Sequence, residues 1–83
     1  MINKNEIGRY PTNPRIAVED VLANNKGYCL TKEEIYELLP RLGNERVITI
    51  GQLNSTLSGL TRFGLVECVY IKSRAYYSIR EDI

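Results

Sequence analysis

Apolar residues recur at helical spacing in three successive segments of this chain. Because an α-helix turns about 100° per residue, positions three and four apart lie on one face. The pattern therefore predicts three amphipathic helices that bury one face each. In chain order, their apolar positions are Ala17, Val18, Val21 and Leu22; Ile35, Leu38, Leu39 and Leu42; and Ile50, Leu53, Leu57 and Leu60.

Residues that favour helix ends bound each of these segments. Asn13 before Pro14 is a typical helix start, and the first helix is predicted to run to about residue 25. The second and third helices each begin with a capping box, in which a Thr hydroxyl and a side chain three residues later satisfy free backbone amides. The residues that mark the boundaries are Thr31 with Glu34, Thr49 with Gln52, Pro40 near the end of the second helix, and Gly27 and Gly64 as left-handed caps.

In the C-terminal part the residue pattern changes to that of β-strands, and it predicts a β-hairpin. Residues 65–71 and 75–79 are rich in β-branched and aromatic side chains, and Lys72, Ser73 and Arg74 form the predicted turn between them. Residues 28–30 predict a short strand, and residues 40–48 a turn of nine residues between the second and third helices. The predicted fold class is α+β.

Length and composition predict one small domain. The chain has 83 residues, of which 43% are hydrophobic and 25% charged, as in ordinary globular proteins. We predict an N-terminal arm at 1–13, a domain at 14–80 and a tail at 81–83. The first residues have no apolar signal-peptide core, and no apolar run approaches the roughly 20 residues of a membrane span. We therefore expect a cytoplasmic protein with no membrane partner.

The residue types that carry most enzyme chemistry are missing from this sequence. It contains no His, no glycine-rich phosphate loop and no nucleophile motif, and its two Cys residues are too few for a tetrahedral zinc site. We expect no enzyme activity, no metal, no cofactor and no small-molecule ligand. Cys29 and Cys68 are predicted to be buried, in strands that pair with each other.

Positive charge is concentrated in one segment. Residues 49–80 contain four basic residues and one acidic residue, Glu67, although the net charge of the chain is only +1. An anionic partner is therefore expected to contact the third helix and the hairpin. For the aromatic residues of the hairpin, alternation predicts Tyr70 near Tyr76, with Tyr77 and Ile79 on the other face. Phe63 lies to the side of the apolar face of the third helix, so it is predicted to be partly exposed.

The order of the elements, together with two sequence stretches, resembles the winged helix-turn-helix family of small prokaryotic or archaeal transcriptional regulators. Residues 28–35 resemble the short strand and capped second helix of that family. The longer stretches that carry the resemblance are Leu57-Ser58-Gly59-Leu60-Thr61-Arg62-Phe63-Gly64-Leu65-Val66-Glu67 and Tyr76-Tyr77-Ser78-Ile79. The resemblance implies three helices, a short strand and a C-terminal wing. It also implies that the third helix enters the major groove while the wing contacts the flanking backbone or the minor groove.

The implied DNA-contacting residues lie on the third helix and in the hairpin turn. Arg pairs with guanine, Gln with adenine, and Ser with either base edges or phosphates, while Lys and Arg neutralise phosphates. The alternative for the helix is a merely solvated face, and for the turn a generic polar tip. The candidate residues are Gln52, Ser55, Ser58, Arg62, Lys72, Ser73 and Arg74.

Two functions follow from this resemblance. The first is a transcriptional regulator that binds double-stranded DNA, either as a homodimer or as a monomer. In the homodimer the arm, the first helix or the wing supplies the contact between copies. The second is a winged helix that acts as a protein-interaction module within a larger transcription, replication or membrane-remodelling complex. The low net charge favours the second function, and the basic C-terminal segment favours the first.

Overall fold

The computed structural model describes residues 13–80 of the chain. The predicted tail, and the predicted arm apart from Asn13, lie outside these residues. The described part is an α+β domain with three helices and two antiparallel strand pairs. In chain order the elements are α1 (Pro14–Asn24), α2 (Lys32–Leu38), β1 (Arg41–Leu42), β2 (Glu45–Arg46), α3 (Ile50–Arg62), β3 (Val66–Ile71) and β4 (Arg74–Ile79).

The predicted helix caps are all formed. Asn13 caps α1 through a hydrogen bond that its side chain accepts from a backbone N–H of the first turn, at 3.2 Å. In α2 the Thr31 hydroxyl accepts from the Glu34 N–H at 3.2 Å, and the Glu34 carboxylate accepts from the Thr31 N–H at 2.8 Å. Thr49 and Gln52 repeat this arrangement in α3, at 3.1 and 2.8 Å. These local bonds explain why the sequence places all three helix starts correctly.

The helices and the start of β3 close over one hydrophobic core. All four predicted core positions of α1 are buried, but Leu38, Leu42 and Ile50 are exposed, so their predicted burial is wrong. Leu38 lies beside the buried stripe of a helix that ends before Pro40, Leu42 lies beyond that helix, and Ile50 occupies the first turn of α3. The core consists of Ala17, Val18, Val21, Leu22, Ile35, Leu39, Ile48, Leu53, Leu57, Leu60 and Val66.

The segment between α2 and α3 is more ordered than the predicted long turn. It contains a miniature hairpin in which β1 pairs with β2 across Gly43, whose φ of 70° suits a glycine. The Arg46 guanidinium donates to the Glu37 carboxylate at 2.8 Å and to the Leu39 carbonyl at 3.2 Å. This side chain is largely buried and ties the miniature hairpin to the end of α2.

The C-terminal hairpin has a tighter turn than predicted. Strands β3 and β4 pair over six consecutive residue pairs, from Val66 with Ile79 to Ile71 with Arg74. The turn therefore consists of Lys72 and Ser73 alone, and the prediction that Arg74 belongs to it is wrong. Two residues with positive φ between paired strands form the turn geometry that matches the twist of a hairpin.

The two faces of this hairpin have different surroundings. Val66, Cys68 and Tyr70 alternate onto the inner face, which packs on α3, and Tyr77 and Ile79 share that face. The outer face carries Glu67, Val69, Ile71, Arg74, Tyr76 and Ser78. Tyr70 and Tyr76 thus lie on opposite faces, and their predicted pairing is wrong because the shorter turn sets a different register.

The predicted short strand at 28–30 forms a single bridge. Leu30 and Tyr77 exchange backbone hydrogen bonds of 2.8 and 2.7 Å, which attach the segment before α2 to β4. Because β3 lies on the other side of β4, the strands of Cys29 and Cys68 do not pair. Cys29 is exposed and Cys68 partly exposed, so their predicted burial is also wrong.

Candidate nucleic-acid interface

One side of α3 presents a row of small polar side chains with a cation at its end. Ser55, Ser58 and Arg62 are exposed on successive turns, on the side opposite the buried leucines. Gly59 lies within this row, and a Cβ built on it would meet no atom of the described residues within 4 Å outside the neighbouring backbone of α3. The row is therefore low enough for another molecule to approach the helix backbone closely.

Gln52 is held differently from the other candidate residues on this helix. Its side-chain oxygen accepts the Thr49 N–H of the capping box at 2.8 Å, which leaves its amide N–H groups as donors. A bidentate contact to adenine uses both the oxygen and the nitrogen of a glutamine. That contact would require the cap to open, so Gln52 suits a single donated hydrogen bond better than adenine recognition.

The inner face of the hairpin and α3 enclose an open cleft of about 340 Å³. Ser58 and Arg62 reach it from the helix, so the structure joins the polar row of α3 to the hairpin. None of the described residues that line it is acidic, which makes the cleft suitable for an anion. The residues that line it are Asn54, Ser58, Thr61, Arg62, Cys68, Tyr70 and Tyr77.

Two hydroxyl groups in this cleft have unusual surroundings. The Thr61 Oγ1 atom is buried and has no hydrogen-bond partner among the described residues. Burial raises the pKa of the Tyr77 hydroxyl above its ordinary value, and the neighbouring Cys68 thiol raises it further. The Tyr77 hydroxyl therefore stays protonated near neutral pH, and among the described residues that line the cleft Arg62 has the charged side chain.

The hairpin tip carries the other two candidate cations. Lys72 and Ser73 have φ values of 52° and 68°, and both are exposed. Arg74 begins β4 and alternates onto the outer face, away from the cleft. Arg62, Lys72 and Arg74 form no ion pair with the described residues, so their charges are free to meet an external anion.

Acidic residues line other grooves of the domain. A groove of about 630 Å³ beside the miniature hairpin includes Glu37 and Glu45 in its lining. A smaller groove joins Lys32 and Glu33 of α2 to Ser73 and Arg74 near the hairpin tip. The cleft between α3 and the hairpin is thus better suited to a polyanion than either of these grooves.

Five residues that line the cleft were not among the DNA-contacting candidates predicted from the sequence: Asn54, Thr61, Cys68, Tyr70 and Tyr77. Asn54 and Thr61 lie seven residues apart on α3, next to the apolar stripe, and Tyr70 follows Cys68 on the inner face of β3. The helical period of 54, 58 and 61 and the strand period of 68 and 70 are visible in the sequence. Only the packing of the hairpin on α3 shows that these two sets face one cleft.

Several features are absent from the part of the chain that the structure describes. Residues 13–80 contain no group of three or more acidic, Cys or His side chains arranged to hold a metal ion. None of their helices has the length and apolar character needed to cross a membrane.

Comparison of the sequence with protein-family models and with curated proteins gave no match.

Proposed function

We propose that this protein is a winged helix-turn-helix protein that binds double-stranded DNA and regulates transcription. The element order supports the fold, because a bridge before α2, two further helices and a hairpin follow α1 in the order of that family. In this proposal α3 enters the major groove, and the hairpin is the wing.

One observation carries the proposal. The exposed polar row of α3 continues into a cleft that no described carboxylate lines, and three cations that form no ion pair with residues 13–80 lie along the helix and the hairpin. Phosphates supply most of the affinity of DNA-binding proteins, and side chains that reach base edges supply specificity. Arg62 and Lys72 suit the first role, while Ser55 and Ser58 are short enough to let α3 approach the bases.

The miniature hairpin is the main departure from a usual helix-turn-helix. Such motifs join their two helices by three or four residues, whereas β1 and β2 occupy the connection here. Both strands lie before the first turn of α3, so a DNA duplex centred on Ser58 and Arg62 would meet them at its flank. Arg41 and Arg46 belong to this flank, and Arg46 is already bonded to Glu37.

The first test is fluorescence anisotropy with a labelled random-sequence duplex at about 50 and 200 mM salt. We expect micromolar binding that weakens steeply with salt, because counterions are released from the phosphates. An Arg62→Ala/Lys72→Ala/Arg74→Ala variant should bind at least tenfold more weakly. Its log–log salt slope should fall by about one unit for each phosphate that the variant no longer neutralises.

A matched pair of single variants separates position from net charge. Lys72→Ala removes an exposed lysine at the hairpin tip, and Lys26→Ala removes one in the loop after α1. Only Lys72→Ala should weaken DNA binding and lower the slope of the log–log salt dependence. Equal losses, or no binding by the folded wild-type protein at low salt, would contradict the proposal.

The alternative function, a protein-interaction module, is favoured by Phe63. Its side chain is 79% exposed at the end of α3, beside a hollow of about 180 Å³ that Arg15, Thr56, Gly59 and Leu60 complete. The exposed ring and the hollow beside it form one apolar surface of the kind that a protein partner covers. A protein without DNA affinity at low salt would direct the search for function to this surface.

A further inference from the structure

The edge of β3 that faces away from β4 has backbone N–H and C=O groups without a partner among the described residues. Tyr77 of β4 gives both its N–H and its C=O to Leu30. In an antiparallel pair, two opposite residues either bond each other or both point away from the pair. Cys68 is opposite Tyr77, so its N–H and C=O point to the free edge of β3, and those of Tyr70, two residues later, do the same.

This edge lacks the features that usually prevent strands from associating. Natural edge strands are protected by Pro, Lys, bulges or very short length. Strand β3 has the sequence VECVYI, pairs with β4 over six residues without a bulge, and carries one charge, Glu67. Such a strand is a template for another extended chain.

The outer face next to this edge is apolar. Val69 and Ile71 are 43% and 52% exposed, and Tyr76 lies opposite Val69 on the neighbouring strand. A strand added to the edge would place its own side chains against Val69 and Ile71. Pairing would therefore bury apolar surface as well as satisfy backbone groups.

We propose that β3 pairs antiparallel with β3 of a second copy of this chain, around a two-fold axis at Val69. In this register Val69 faces Val69 of the second copy, and Cys68 faces Tyr70 of the second copy. The outward N–H and C=O groups of Cys68 and Tyr70 then form four hydrogen bonds across the axis. The two hairpins become one four-stranded sheet.

Charge complementarity favours this register over one centred on Cys68. It places Glu67 opposite Ile71 of the second copy, whose cross-strand neighbour on the same face is Arg74 of that copy. The Glu67 carboxylate of one copy and the Arg74 guanidinium of the other can form an ion pair across Ile71. Because of the two-fold symmetry, this pair occurs twice. A register centred on Cys68 would instead place Glu67 against the apolar pair of Val69 and Tyr76. This inference does not rest on DNA binding.

The principal experiment measures the association of the free protein by sedimentation equilibrium at about 10 μM to 1 mM, a range suited to a small interface. We expect a reversible dimer. Glu67→Arg and Arg74→Glu should each raise its dissociation constant about tenfold, and the double exchange should restore it. Within one chain these residues lie at opposite ends of the hairpin, so a purely structural effect would give no rescue.

A cross-linking experiment tests the position of the axis. Opposite residues of a pair that is not hydrogen-bonded have Cα atoms about 4.5 Å apart, within the range for a disulfide. Cys29 and Cys68 are first replaced by Ser. When oxidised glutathione is added as the oxidant, a Val69→Cys variant should then form a dimer linked by a disulfide between the two Cys side chains. A Glu67→Cys variant in the same background is the control and should form no disulfide-linked dimer, because residue 67 is opposite residue 71 of the second copy in this register.

Three results would overturn the proposal. They are a monomer at the highest concentration, a dimer that both single charge variants leave unchanged, and cross-linking that is faster at Glu67→Cys than at Val69→Cys. All measurements omit DNA, so they are independent of the outcome of the anisotropy titration.

Discussion

At the scale of single residues, two glycines near the candidate nucleic-acid interface have opposite roles. Gly64 has a φ of 80°, a conformation that other residues adopt only with strain, and it turns the chain from α3 into β3. Gly59 lies inside α3, and a Cβ there would meet no other part of residues 13–80 within 4 Å beyond the adjoining helix backbone. The position of Gly64 after the third apolar stripe predicts a helix stop, whereas the open space around Gly59 is visible only in the structure.

We therefore predict that alanine has opposite effects at these positions. Gly59→Ala should raise the free energy of unfolding by up to about 1 kcal/mol, because alanine favours the helix and has room for its methyl group. Gly64→Ala should lower it by about 1 kcal/mol or more. Urea denaturation monitored by circular dichroism measures both. A destabilised Gly59→Ala variant would show that this part of α3 is crowded in solution.

At the scale of elements, the hairpin tip combines charge with backbone strain. Lys72 and Ser73 both adopt positive φ, in a turn that favours Asn followed by Gly. Residues of this type in left-handed conformations cost about 1 kcal/mol each. The tip thus keeps an exposed lysine at some cost to stability, which is consistent with the role proposed for Lys72.

We predict that Ser73→Gly stabilises the protein by several tenths to about 1 kcal/mol, because glycine adopts positive φ without strain. Ser78→Gly is the matched control within β4, where glycine should lower stability by about 0.5–1 kcal/mol. Thermal unfolding of the two variants gives the comparison. The idea of a strained tip would be wrong if both substitutions lowered the melting temperature equally.

At the scale of the whole molecule, one small core holds every helix and the hairpin together. Leu53 is completely buried in α3, and Val66 extends the same core into β3. A domain of this size has a total stability on the order of 5 kcal/mol. The orientation of α3 relative to the hairpin therefore depends on a few buried side chains.

Substitution of leucine by alanine at two positions tests this dependence. Leu53→Ala should lower the free energy of unfolding by about 2–5 kcal/mol, because it removes a packed side chain and leaves a cavity. Leu38→Ala, at a side chain that is 52% exposed, should change it by less than about 1 kcal/mol. Equal losses in urea titrations would mean that Leu38 is buried in solution, as its sequence pattern predicts.

Features that depend on neighbouring residues could be predicted from the amino-acid sequence alone. The caps at Asn13, Thr31 and Thr49 were predictable because a side chain bonds a backbone group three residues away. The three helices, the two strands of the C-terminal hairpin and the polar row of α3 follow from residue periodicity in the same way.

Features that depend on distant contacts became known only from the folded structure. A turn shorter by one residue moved Arg74 into β4 and placed Tyr70 and Tyr76 on opposite faces, because side chains alternate along a strand. The bridge from Leu30 to Tyr77 separated Cys29 from Cys68, and among residues 13–80 it left the edge of β3 opposite β4 without a partner strand. Periodicity predicts which face of each helix or strand is apolar. Only tertiary packing decides which face of one element contacts another, and the packing of the hairpin on α3 creates the cleft.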